Sequence, residues 1–204
     1  ATWFKDGKLN ASENCLDVHL NTHASKTALI WEGEQGQKNQ YTYQELHDAV
    51  CQCAHALVHT LDVKKGDRVT LYMPMIPELV ISVLACARIG AIHSVVFGGF
   101  SVDSLADRID DSQSNIVITA DGGFRRGSTL PLKNTVDQAI KKATHPVKNV
   151  VVVQYACNDI DWEDSRDIDY HTIVNQAPPS FLPVSMDSED PLFILYTSGT
   201  TGKP

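Results

Sequence analysis

The sequence predicts an α/β fold, a mostly parallel sheet flanked by helices, and three observations point there. Short apolar runs rich in β-branched residues recur along the chain. Segments of helical period lie between them. The runs are continuous rather than alternating, as strands covered on both faces are. Thr42 and Glu45 form a T-x-x-E capping box. After it Leu46, Val50, Ala54, Leu57 and Leu61 return at helical spacing. Asp67–Met73 (DRVTLYM) reads as the first strand of the alternation. Pro77 suits the first turn of a helix, and Glu78–Ile89 is apolar nearly all round until Gly90 ends it. Ile92–Phe97 is the second strand, broken by Gly98-Gly99. Ser101 can then cap a helix over Val102–Asp111. Asn115–Ala120 is a third strand, Leu132–Thr144 a helix after Pro131, Asn149–Gln154 a fourth strand and Pro191–Thr197 a fifth.

Composition narrows the class. The 204 residues are 43% hydrophobic and 21% charged, the profile of a soluble globular domain large enough to need no staples. No apolar run approaches the roughly 18 residues of a membrane span. The opening ATWFKDGKLNASENCLDVHL lacks the layout of a signal peptide. A net charge of −8 argues against broad nucleic-acid binding, which needs a basic face. Cys15, Cys51, Cys53, Cys86 and Cys157 show no framework spacing and read as reduced thiols of a cytoplasmic protein, with Cys86 buried. Both ends read as cut: there is no initiator Met, and the chain stops inside a Gly-rich loop.

Charge is unevenly spread. Residues 157–190 hold nine acids and one base, Arg166, a local −8. With their Pro, Ser and Asn they read as a solvated surface excursion carrying one short helix near Tyr170–Asn175. Residues 121–145 carry Arg125, Arg126, Lys133, Lys141 and Lys142 against Asp121 and Asp137, a local +3 and a candidate anion site. Lys141 and Lys142 read as the polar face of a helix. Arg125 and Arg126 stand out, because they lie in a Gly-flanked loop. In open α/β sheets ligands sit at the carboxyl ends of strands. The informative loops, FGGF (97–100), ADGGFRRGS (120–128) and TSGTTGKP (197–204), all follow strands.

The last of these can cradle phosphate. Two glycines let backbone N–H groups converge on an anion, Ser and Thr hydroxyls add donors, and Lys203 adds a point charge. It is not the Walker loop, because two residues rather than four separate Gly199 from Gly202 and Pro204 follows the Lys. Other features read as structural. His47, Cys51, His55 and His59 recur every four residues but drift around the helix, and are expected to be surface residues rather than metal ligands. His93 is expected to be a satisfied core or sheet-end histidine. Trp3 and Trp31 are expected to pack.

YTSGTTGKP after an apolar strand resembles the phosphate-loop signature of the adenylate-forming enzymes. Together with WFKDGKLNASENCLDVHL (3–20), FGGFS (97–101), the Arg-containing loop, DWEDSRDIDYH (161–171) and DPLFILYTSGTTGKP (190–204), it is similar to the acetyl-CoA synthetase (acetate–CoA ligase) branch along essentially the whole chain. The resemblance implies an N-terminal segment over 1–22 and, over 23–204, the first part of an AMP-binding domain truncated at the phosphate loop. It implies two steps: acetate and ATP give acetyl-adenylate and pyrophosphate, then the CoA thiol gives acetyl-CoA and AMP. Thr197, Ser198, Gly199, Thr200, Thr201, Gly202 and Lys203 would hold the ATP phosphates with Mg²⁺. Arg125, Arg126, Gly127 and Ser128 occupy the loop for the CoA nucleotide, with Phe97, Gly98 and Gly99 lining the same site. The family pattern there is Arg, two small residues, then Arg or Lys. This chain matches at Arg125 and Gly127 and departs with Arg126 and Ser128, so that Arg126 would supply the displaced charge. Acyl pocket, adenine contacts and the distal catalytic lysine would lie beyond Pro204, leaving the fragment inactive alone. A propionyl-CoA synthetase and a catalytically silent nucleotide-binding module are the competing readings.

Overall fold

The structure is a computed structural model that describes residues 3–197. In chain order its elements are β1 (Lys8–Leu9), α1 (Ala11–Cys15), α2 (Asp17–His23), β2 (Thr27–Glu32), β3 (Lys38–Thr42), α3 (Tyr43–His59), β4 (Arg68–Met73), α4 (Pro77–Ile89), β5 (Ile92–Phe97), α5 (Val102–Ser112), β6 (Ile116–Ala120), β7 (Gly123–Arg125), β8 (Ser128–Leu130), α6 (Leu132–Lys142), β9 (Asn149–Val153), β10 (Asp167–Asp169), α7 (Tyr170–Asn175), β11 (Met186–Asp187) and β12 (Phe193–Ile194).

Six strands form one parallel sheet in the order β10-β9-β6-β4-β5-β12. Val69, Leu71, Val117, Ile118 and Val151 at its centre are essentially inaccessible, which is why their runs carry no polar alternation. From β4 the chain steps to β5 on one side, then crosses back to β6 on the other. Right-handed crossovers in opposite directions put α4 on one face and α5 on the other. α3 packs on α4 and α6 on α5, giving three layers. The reversal leaves a topological switch point where the carboxyl ends of β4, β5 and β6 diverge.

Local signals act as their chemistry dictates. The Thr42 side chain accepts from the Glu45 N–H while Glu45 reaches back to the Thr42 N–H. Pro77 opens α4, and Gly90 closes it at φ 73°, a left-handed conformation that glycine adopts without strain. Ser101 caps α5 through the Ser104 N–H. No helix among the described residues is long and apolar enough to cross a membrane.

The acidic segment 157–190 is more than a solvated connection. It adds the edge strand β10 beside β9, and α7 falls where the sequence placed a helix. β11 pairs antiparallel with β1. Asp167, Tyr170 and Val174 are buried. The segment is fastened to α6 by Lys133, whose ammonium has no exposed surface and lies 2.9 Å from Asp137 and 2.8 Å from Asp167. Arg166 completes the network with Asp167 at 2.7 Å and Asp137 at 2.5 Å. Lys133 therefore leaves the candidate anion patch: its charge is consumed internally. Lys141 and Lys142 are exposed on α6, as expected.

Other expectations need correction. His47 and Cys51 are not surface residues, because α2 and the 177–184 segment cover that side of α3. Cys51 is fully buried, and His47 lies 3.5 Å from Asp17. Arg88, 2% exposed, donates in bidentate fashion to Asp17 at 2.8 and 2.7 Å and to the Phe181 carbonyl at 2.7 Å. His93 is buried but not satisfied: its Nδ1 has no hydrogen-bond partner among the described residues. Burial pushes its pKa down to about 4. Trp3 does not pack; its side chain is 72% exposed. Trp31 does, against Tyr155. The hairpin β2–β3 and the short elements β1, α1 and α2 carry no signal that the periodicity revealed.

Candidate functional site

A cleft of about 250 Å³ opens at the switch point. Its walls come from three strand ends, Met73–Ile76 after β4, Phe97–Gly99 after β5 and Gly123–Arg125 beyond β6, with Leu130, Leu132, Tyr155 and the tip of the β2–β3 hairpin closing it.

Each wall is held by a side chain whose position follows from the sheet. Tyr72, on β4, is buried, and its hydroxyl reaches the carbonyls of Gly98 at 3.1 Å and Phe100 at 3.0 Å. This fixes the FGGF turn, whose Gly98 backbone lies close to Met73 and Leu132. Asp121, buried at the end of β6, accepts from the N–H groups of Gly122, Tyr155 and Ala156 at 2.7, 2.8 and 2.9 Å with one oxygen, and from Asn158 at 3.0 Å with the other. One carboxylate thus ties the exit of β6 to the exit of β9. The Trp31 indole N–H donates to the Met75 carbonyl at 2.6 Å and anchors the β2–β3 hairpin over the cleft.

The Gly-flanked stretch after β6 is a hairpin rather than an open loop. β7 and β8 pair antiparallel, Arg125 opposite Ser128. The turn residues Arg126 and Gly127 have φ of 53° and 75°, both in the left-handed region. That is the type I′ turn, whose twist matches a two-residue hairpin. Gly127 meets the requirement freely, whereas Arg126 does so at the steric cost of a Cβ.

The cleft brings together four of the residues singled out from the sequence. Arg125 sits with its guanidinium carbon 5.2 Å from the centre of the Phe97 ring. It also lies so close to Gly99 that a Cβ there would have to push the guanidinium aside. Gly98 lines the same wall. Arg126, Gly127 and Ser128 are exposed at the tip of the hairpin, outside the cleft wall. At that tip the Gly127 N–H donates to a Glu34 carboxylate oxygen at 2.9 Å, linking the two hairpins. Sequence reading missed Tyr72, Asp121 and Glu34. Asp121 could have been noticed as an acid directly following an apolar strand, whereas Glu34, 93 residues from its partner, carried no signal.

The edge strand β12 runs parallel to β5 toward the same end of the sheet. Its exit is held by Tyr196, whose hydroxyl donates to Asp111 at 2.6 Å and whose ring lies 4.8 Å below Arg108. Burial first, then the Asp111 carboxylate, pushes the Tyr196 pKa up, so the phenol keeps its proton. Thr197 follows, exposed. Ser198, Gly199, Thr200, Thr201, Gly202 and Lys203 lie outside the described residues. Among the described residues, no group of three or more His, Cys, Asp or Glu side chains could hold a metal ion.

The chain matches the model of the family described as "AMP-binding enzyme" over residues 16–204. It is 54% identical over 204 residues to an acetyl-coenzyme A synthetase of Yersinia pestis (strain Pestoides F), covering 99% of this chain and 31% of that protein. It is 50% identical, with the same coverage of 99% and 31%, to acetyl-coenzyme A synthetases of Salmonella typhi and Salmonella typhimurium. The chain therefore spans about a third of the length of these relatives.

Proposed function

Because the chain belongs to the AMP-binding enzyme family, we propose that it is the amino-terminal part of an AMP-forming acetate–CoA ligase and that it supplies that enzyme's CoA-nucleotide cleft and ATP-phosphate loop. The relatives are named acetyl-coenzyme A synthetases, which favours acetate over propionate as substrate. The observation that carries the site reading is the convergence of Phe97, Gly98, Gly99 and Arg125 on one cleft at the switch point of the sheet.

In the first half-reaction a carboxylate oxygen of acetate attacks the α-phosphorus of ATP and the bond to pyrophosphate breaks. Thr197, Ser198, Gly199, Thr200, Thr201, Gly202 and Lys203 act here by holding the phosphates that leave. Preorganised donors are worth most where charge develops. Mg²⁺ would accompany those phosphates, held with them by the loop 197–203, and would neutralise part of their charge. In the second half-reaction the CoA sulfur attacks the acyl carbon and AMP departs. Arg125 acts in that step only. An acidic chain repels CoA, a polyanion, and a planar guanidinium fork at the cleft wall offsets the repulsion at the 3′-phosphate. A cation–π contact with Phe97 favours this placement of the guanidinium. Ser128 stands where a second basic residue would serve, and Arg126, one step from the cleft wall, provides the second positive charge.

The test uses the full-length enzyme. Acetate-dependent ATP–pyrophosphate exchange should proceed normally in Arg125→Ala, while kcat/KM for CoA falls and the preference for CoA over dephospho-CoA shrinks. Arg126→Ala should show a weaker version of the same pattern. Lys203→Ala should do the opposite, slowing exchange by about 2–4 kcal/mol at the transition state and sparing thioester formation from supplied acetyl-adenylate. A preference for CoA over dephospho-CoA unaltered by Arg125→Ala refutes the cleft assignment. A kcat/KM for propionate above that for acetate refutes the substrate.

A further inference from the structure

The hairpin tip that carries Arg126 and Gly127 already holds an anion. The Gly127 N–H points out of the type I′ turn and donates to the Glu34 carboxylate at 2.9 Å. Glu34 comes from the tip of the other hairpin, whose turn closes through the Gly33 N–H to the Gln37 carbonyl at 2.8 Å and whose tip end is anchored by Trp31. Both tips are exposed, and among the described residues the Glu34 carboxylate makes this hydrogen bond and no ion pair. An outward backbone N–H beside Arg125 and Arg126 is what a phosphate oxygen would use.

We propose that Glu34 is a specificity-determining residue: its carboxylate sits in the seat of the ligand's phosphate and is displaced when a phosphate-bearing nucleotide enters the cleft. This rests on reading the cleft as the CoA-nucleotide site. The acid sets a threshold. A ligand with a terminal phosphate can compete for the Gly127 N–H and the arginines. A ligand without one leaves the Glu34–Gly127 bond in place. The intramolecular carboxylate lowers affinity for the charged ligand and keeps the arginines from capturing any passing anion.

The experiment compares full-length wild type, Glu34→Gln, Glu34→Ala and Asp62→Asn by the ratio of kcat/KM for CoA and dephospho-CoA. Asp62→Asn makes the same change of charge on an exposed residue at the opposite end of the sheet. Removing one like charge at contact distance in near-aqueous surroundings is about a fivefold effect. The ratio should therefore rise about fivefold in both Glu34 variants, through KM for CoA, and stay put in Asp62→Asn. The gain should fade as salt is raised. A tie that merely braces the hairpins predicts otherwise: Glu34→Ala would lower the ratio, and Glu34→Gln, which can still accept from Gly127, would preserve it. An unmoved or lowered ratio in Glu34→Gln, with Arg125→Ala still collapsing it, overturns the role of Glu34 alone. A ratio insensitive to Arg125→Ala overturns the cleft reading and this inference with it.

Discussion

Arg125 and Lys133 lie in one basic stretch and look equivalent on paper, yet the fold puts them to opposite uses. Arg125 is exposed at the wall of a cleft, with an aromatic ring beside it and no ion pair among the described residues. Lys133 has no exposed surface and is surrounded by Asp137, Asp167 and the Asp161 carbonyl. Local positive charge in a sequence therefore says little by itself. A cation is available to a ligand only when the fold has not already neutralised it, and a buried cation must be neutralised because desolvation is so costly.

The largest expected effect attacks the buried member. Lys133→Met strips Asp167 of its shortest ammonium contact, and breaking a buried pair from one side costs about 3–5 kcal/mol. Native-state hydrogen exchange of the β6 and β9 amides in the full-length protein should show that loss, while any folded enzyme keeps its preference for CoA over dephospho-CoA. The Asp167 carboxyl also gives the network a pH signature. Burial alone would raise its pKa, but hydrogen bonds from Arg166 and Lys133 outweigh that and hold it below its ordinary value of 3.8. Its contribution is present above that value and is lost as pH falls through the lower folded pKa. An unaltered exchange rate in Lys133→Met would break the comparison.

His93 sharpens it, because it is a buried titratable group with no partner at Nδ1 among the described residues. Its pKa falls from 6.5 to about 4, so the unfolded state binds the proton more tightly between those values. The stability it contributes is full above pH 6.5 and is lost as pH falls through about 4. The span amounts to about 3 kcal/mol. A thermal-midpoint series over that range should flatten in His93→Phe relative to wild type. Parallel curves for the two proteins would show that His93 keeps its proton equilibrium unchanged on folding.

Asp121 stands between the two extremes, buried like Lys133 but devoted to the cleft. Asp121→Asn weakens the hold on four N–H groups and should cost about 2 kcal/mol, read as faster exchange at Tyr155, Ala156 and Asn158. Exchange confined to β12 instead would contradict the assigned contacts. The smallest structural effect belongs to Arg125→Ala. An exposed side chain without an ion pair should change stability by less than about 0.5 kcal/mol, whatever it does to CoA use. A large destabilisation there would make Arg125 a structural residue and erase the contrast with Lys133.

Much of the fold was legible because strand burial and helix signals are local. β4, β5, β6 and β9 fall within a residue of their expected bounds, as do Pro77 at the start of α4 and the left-handed Gly90 at its end. β12 is shorter than the apolar run suggested, two residues rather than seven, because only part of that run finds a partner on β5. β10 was hidden: an edge strand reading DID has no apolar run, and it pairs because Lys133 and Arg166 neutralise the acid at its start. The site was half legible. FGGF and the arginine pair carried glycine and charge signals, whereas Tyr72, Asp121 and Glu34 act on partners too distant in sequence for any local pattern.

By itself the sequence determined the α/β class, the order of the central strands' alternation with helices, and the loops where chemistry would gather. Those follow from periodicity, capping and glycine, which act over a few residues. Only the tertiary structure decided which charges remain free. Lys133 is consumed by an acid 34 positions later, while Arg125 is left beside Phe97 and Arg126 is lifted onto a turn tip facing Glu34. Neutralisation depends on what lies within a few ångströms in space, and in a crossover fold that neighbour comes from a distant strand.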